Sequence, residues 1–206
     1  MSLWTSTTDT FNDRLAVPTV SIWRLTVEQY RQMLRKGILT EDDPVELLDG
    51  WLVTKMPKNP PHRLATGLVR EALEQALPQG WYVDSQEPIT LLSSESEPDI
   101  IVVRGNRRDY PNRHPGPSDL GLVVEVAEAS LERDQTLKRV LYAQAAIPVY
   151  WILNLIDRGL DVYSDPSGPA EHPDYRSCHA YAATDVVPFL LDTDEIARIN
   201  VQHLLP

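Results

Sequence analysis

The stretch Leu120–Ala127, LGLVVEVA, constrains the fold more than any other part of the chain. It is β-branched and apolar almost throughout, the composition of a central strand covered on both faces. One residue does not fit. Glu125 stands between Val124 and Val126, and burying an ionised carboxylate in such company costs several kcal/mol unless a cation or hydrogen bonds compensate it. Either Glu125 pairs with a cationic group, or that side of the strand is wet.

Flanking segments supply what a central strand needs. A helix is predicted from Val27 to about Lys36: Thr26 and Gln29 form a capping box, Val27, Tyr30, Met33 and Leu34 share a face, and Gly37 supplies the stop. Val45–Leu48 and Trp51–Met56, split by Asp49-Gly50, read as a hairpin, because that dipeptide accepts the positive φ angles of a tight turn. Asn59-Pro60-Pro61 opens a second helix, with Asn59 as cap and prolines tolerated in the first turn. Leu64, Leu68, Ala72, Leu73 and Ala76 line its apolar side. Short strands are expected at Trp81–Ser85, Pro88–Leu92 and Asp99–Arg104, then a long exposed loop over Gly105–Ser118. After the central strand come a helix from about Asp134 to Ala146, a strand Val149–Asn154, a turn at Arg158-Gly159 and a strand Leu160–Ser164. The pattern is mixed α/β: a central mixed sheet flanked by helices, with an N-terminal helix and β-hairpin. It is read as one domain over 21–206, with its core at about 26–165 and a β/loop extension over 166–206. A loose polar arm over 1–20 precedes it.

Composition narrows the function. The chain has 206 residues, 42% hydrophobic and 24% charged, which supports a buried core and excludes wholesale disorder. No apolar run reaches the ~20 residues that span a bilayer, so no membrane partner is expected. With no basic and apolar leader and a single cysteine, Cys178, the cytoplasm is the expected compartment. The net charge of −11 works against tight, sequence-independent binding of nucleic acid, although a local basic patch can outvote the total. Arg104, Arg107, Arg108 and Arg113 form the one concentrated positive stretch. They either grip phosphates beside a site at Asp99 or pair with surface acids. No Gly-rich phosphate loop, nucleophile elbow or Cys/His zinc spacing is present.

Asp99, after Pro98 at the mouth of Ile100–Val103, is the second misplaced acid. Two strands carrying one acid each, joined by a long loop, can lie side by side and aim both carboxylates at one point. Mg²⁺ commonly takes one or two carboxylates with waters completing its shell, and Mn²⁺ substitutes for it. Such an ion polarises a phosphoryl group and activates water. Lys138 and Arg139 are the nearest cations able to steady developing charge.

Four ordered pieces, Glu46-Leu47-Leu48-Asp49-Gly50, Glu97-Pro98-Asp99, Leu122-Val123-Val124-Glu125-Val126 and Asp134…Lys138…Tyr142…Val149-Tyr150-Trp151, resemble the Uma2-like restriction endonucleases, a bacterial group within the PD-(D/E)XK nuclease superfamily. The likeness covers roughly residues 26–165 and implies a restriction-endonuclease-like core. It implies that Asp99 and Glu125 are metal ligands, with the Val126 carbonyl as a third. Ala127 stands where the motif lysine is expected, and the resemblance implies that Lys138 replaces it. Glu46 would be an additional acid near the metal. His62, Glu128 and Asp134 read more simply as an exposed helix-start residue, a loop acid and a helix cap.

Two functions follow. One is an Mg²⁺-dependent endonuclease acting on DNA, working as a homodimer because a duplex needs two sites to be cut through. The other is a nuclease-fold module that binds nucleic acid or protein without cutting, motivated by Ala127 and the acidic charge.

Overall fold

The computed structural model describes residues 22–40 and 42–206, and the arm expected over 1–20 lies outside them. Helix α1 (Val27–Arg35) starts with the expected capping box: Gln29 N donates to Thr26 Oγ1 at 3.2 Å, and Thr26 N to Gln29 Oε1 at 2.9 Å. Strands β1 (Val45–Leu48) and β2 (Trp51–Thr54) form the hairpin, with Asp49 and Gly50 at φ of 47° and 79°. Helix α2 (Pro60–Ala76) is capped by Asn59, whose side-chain oxygen accepts from His62 N at 3.0 Å.

Strands β3 (Trp81–Asp84), β6 (Ile100–Arg104), β7 (Leu120–Ala127), β8 (Val149–Asn154), β9 (Gly159–Pro166) and β10 (Tyr175–Ala182) form a six-stranded sheet in the order β10-β9-β8-β7-β6-β3. β7 pairs in parallel with β8 and antiparallel with β6. All eight of its residues are buried, as its composition requires. Side chains alternate between faces. Leu122, Val124 and Val126 enter one core with Ala65, Val69 and Leu73 of α2, while Val123 and Ala127 enter another with Leu141, Tyr142 and Ala143. Each fully buried aliphatic side chain contributes about 1.5–3 kcal/mol. By the same alternation Glu125 faces the second core.

A smaller sheet, β2-β1-β5-β4, is built from the hairpin, β4 (Ile89–Thr90) and β5 (Glu95–Ser96). β5 pairs with β1 at Leu47↔Glu95 and runs through Glu97-Pro98-Asp99 into β6. That short passage fastens the small sheet to the large one.

Two expectations are corrected. Leu64 is 54% exposed, because α2 meets the sheet one position further on, through Ala65, Val69 and Leu73. The helix expected from Asp134 begins earlier. α3 (Leu131–Arg133), a π-helical turn Asp134–Lys138 and α4 (Arg139–Gln144) follow without a break, so Asp134 is inside the helix and not its cap. Within the region 166–206, read as a β/loop extension, β10 extends the main sheet, and β11 (Val186–Leu191) pairs with β12 (Asp194–Asn200) in a hairpin that adds Val187, Phe189 and Ile199 to the α2 core.

Candidate active site

β6 and β7 pair with Ile100 opposite Val124. Carried one residue further, that antiparallel register sets Asp99 opposite Glu125, and the period of two puts both carboxylates on one face. The two acids that looked misplaced in sequence are therefore cross-strand neighbours. Asp99 is 7% exposed and Glu125 4%.

Each carboxylate uses one oxygen to hold itself. Asp99 Oδ2 accepts from Val126 N at 2.9 Å and lies 3.2 Å from His62 Nε2. Glu125 Oε1 accepts from Lys138 Nζ and Tyr142 Oη, both at 2.8 Å. Among the described residues no hydrogen bond reaches the other oxygen of either group. Both side chains line a cavity of about 70 Å³, along with Glu46, His62, Glu97, Glu128, Arg133 and Lys138.

Glu46 arrives from β1. Its Oε2 accepts from Ser96 Oγ at 3.2 Å and Glu97 N at 3.1 Å, and its Oε1 is 3.5 Å from Lys138 Nζ. Ser96 Oγ also lies 2.9 Å from Tyr142 Oη, so the two hydroxyls that hold Glu46 and Glu125 are in contact. Lys138 is 2% exposed and sits between the two glutamates. The π-helical turn ends on it, and such turns recur at functional positions because the extra residue re-aims the side chains that follow. Asp134, at the start of the same turn, is buried with both carboxylate oxygens lacking a partner; Arg133 Nε is 3.9 Å away.

Four buried carboxylates, Glu46, Asp99, Glu125 and Asp134, thus face one buried ammonium and one arginine at the cavity edge. Complete burial raises the Glu125 pKa, with the Lys138 charge the largest opposing influence. Burial works against the Lys138 charge too, but Glu125 and Glu46 outweigh it, and the ammonium is held charged more firmly than an ordinary lysine. Burial likewise raises Asp134.

This donor set suits a hard divalent cation with an incomplete protein shell. Among the described residues no three His, Cys, Asp or Glu side chains converge into an all-protein cage. Two open carboxylate oxygens on a small polar cavity, in a cluster with surplus negative charge, match the one or two carboxylates by which Mg²⁺ is usually held. The Val126 side chain is in the core and its N–H holds Asp99.

The arginine-rich loop is elsewhere. Arg104 ends β6, about 16 Å along the strand from Asp99 at ~3.3 Å per residue. It pairs with Asp192 at 2.6 Å and lies over the Trp81 ring. Arg107 pairs with Asp84 at 3.2 Å over Tyr82, and Arg113 with Asp119 at 2.5 Å over Tyr110. Arg108 is exposed and has no ion pair among the described residues. None of the four lines the cavity. Lys55, Lys58 and Arg133 line it instead.

A family model described as "Putative restriction endonuclease", Uma2, matches residues 27–193. The chain belongs to the Uma2 family. That match takes in every site residue named above. Among solved structures, one titled as a putative nuclease belonging to DUF820, from Anabaena variabilis ATCC 29413, is similar with a TM-score of 0.66 and 14% identity over 87% of this chain and 97% of that one. The two share the nuclease-like fold. No curated protein matches the chain in sequence.

In this Uma2 protein Ala127 is fully buried in the core that holds Tyr142 and Ala143. A lysine there would have to thread its stem through that packing, whereas Lys138 reaches Glu125 from the helix side. His62 and Ser96 were not among the residues that sequence reasoning assigned to the site. The His62 signal was present: Asn59-Pro60-Pro61 makes it the third helical residue, and helical side chains lean back toward the N-terminus.

Proposed function

We propose that this Uma2 protein is a nuclease that hydrolyses DNA phosphodiester bonds with a divalent ion, Mg²⁺ or Mn²⁺, at Asp99 and Glu125. The observation that carries the reading is the paired arrangement of those carboxylates: each has one oxygen anchored and one open, on a single cavity beside a buried ammonium. The Val126 carbonyl is the proposed third ligand. A bound ion would polarise the phosphoryl group and ease deprotonation of water. Hydrolysis joins a water oxygen to phosphorus, breaks one P–O ester bond and adds a proton to the leaving oxygen.

The chain's own residues supply the rest. Asp99 and Glu125 provide the negative charge that keeps a cation in place. Lys138, held charged between Glu46 and Glu125, puts a fixed positive charge at the cavity wall, where the phosphoryl oxygens gain charge. Tyr142 and Ser96 orient Glu125 and Glu46. Lys58, which has no ion pair among the described residues, and Arg133 stand where a nucleic-acid backbone would approach. A duplex cut through both strands calls for two such sites, so the proposed working unit is a homodimer.

Lys138 against Glu125 supports the enzyme over a module that binds without cutting, the reading that Ala127 and the acidic net charge had motivated. Plasmid nicking or linearisation with Mg²⁺ or Mn²⁺ tests the proposal. Activity is expected from the native chain and not from Asp99→Ala or Glu125→Ala, and cleavage that survives both substitutions overturns it.

A further inference from the structure

We infer that His62 is a positioning residue for the metal site: it fixes which oxygen of Asp99 faces the ion. This rests on the proposed ion at Asp99 and Glu125. A carboxylate only accepts hydrogen bonds, so the His62 nitrogen 3.2 Å from Asp99 Oδ2, Nε2, carries the hydrogen. Val126 N donates to the same oxygen at 2.9 Å. Two donors on Oδ2 stop the carboxylate from rotating and leave Oδ1 as the oxygen available to a cation. Outer-shell bonds of this kind orient ligands before the metal arrives.

The rest of the helix start is arranged around that ring. Thr66, one turn on, donates to the His62 carbonyl at 2.9 Å, and its Oγ1 lies 3.5 Å from Nδ1 on the far side of the imidazole. Asn59, the cap, bonds through its side-chain nitrogen to Glu128, just beyond the strand that carries Glu125. The first turn of α2 is thereby tied to both acid-bearing strands. Pro60 and Pro61 have no N–H, so the helix offers few backbone donors here and the imidazole is its contribution to the site. With its side chain 13% exposed, His62 is shielded from the bulk water that would otherwise compete for Asp99.

Calorimetric titration of the intact protein with Mn²⁺, alongside thermal melting, tests the inference on native, His62→Leu, His62→Gln and Asp99→Ala chains. The expected result is a 10–100-fold weaker Mn²⁺ affinity for His62→Leu, largely recovered in His62→Gln, whose amide N–H can reach the same oxygen, with melting temperatures close to native. Native affinity in His62→Leu, while Asp99→Ala loses binding, overturns the role of His62 and leaves the metal site standing. Equal losses in both His62 variants, matched by equal drops in melting temperature, also overturn it, because the residue would then be structural. A native chain that binds no Mn²⁺ overturns the metal reading and this inference together.

Discussion

The buried cluster around Lys138 and the loop around Arg107 both concentrate charge, and they treat it in opposite ways. In the loop, Arg104, Arg107 and Arg113 each have an acid of their own and an aromatic ring beneath, at the surface where water screens what remains. In the cluster, one ammonium is shared by Glu46 and Glu125, Asp134 has no bonded partner, and almost nothing is exposed. Charge density along a sequence is therefore a poor guide to where electrostatics act. Desolvation and an uncancelled surplus of one sign are what set the buried cluster apart from the loop.

The largest effect that would separate the two regions is on cleavage. Asp99→Ala or Glu125→Ala should lower the rate of plasmid nicking about a thousandfold, the equivalent of several kcal/mol of lost charge stabilisation. Arg104→Ala should leave that rate within a few-fold of native. Equal losses from both regions would erase the distinction.

Stability comes next. Lys138→Met removes one partner of a buried ion pair and leaves Glu125 and Glu46 uncompensated, at a cost of about 3–5 kcal/mol. Calorimetric melting should fall by roughly 10 °C in a chain of this size. Asp134→Asn should act in the other direction. Burial raises the Asp134 pKa, so the folded state favours the protonated form. The contribution is fully present below the unfolded value and is lost as pH rises through the raised folded value. At pH 8 the amide should therefore stabilise the protein by about 1–3 kcal/mol, the scale of a buried unsatisfied polar group, and the advantage should vanish near pH 3. Urea denaturation at both pH values measures it, and a gain independent of pH would show that charge is not its cause.

The smallest effects belong to the loop. Arg104→Ala, Arg107→Ala and Arg113→Ala should each cost about 1 kcal/mol or less. The triple change Arg104→Ala, Arg107→Ala and Arg108→Ala should leave the salt dependence of DNA binding unaltered, whereas Lys58→Ala should reduce its slope by about one. Fluorescence anisotropy across a salt series distinguishes the two surfaces.

Much of this was legible in sequence. Asp49-Gly50, the Thr26/Gln29 box and Asn59-Pro60-Pro61 specified their local structures because turns and caps depend on a few adjacent residues. LGLVVEVA announced a buried strand, and the acid inside it announced a cost that something had to offset. Leu64 was misplaced because a helix that meets a sheet through alanine and valine shows a blurred apolar stripe. The helix start at Leu131 put Asp134 inside the helix, and the π-helical turn that ends on Lys138 was invisible, since no residue type marks it.

From the sequence alone came the elements and the two acids, consequences of short-range periodicity and local chemistry, and the family likeness, carried by four ordered pieces. The tertiary structure decided where those acids meet and what surrounds them. Antiparallel pairing set Asp99 opposite Glu125, the fold brought Glu46 from a second sheet and His62 from a helix, and it carried the arginines to the far end of β6. Those relations join residues tens of positions apart, and they depend on strand register and burial, which only a folded chain possesses.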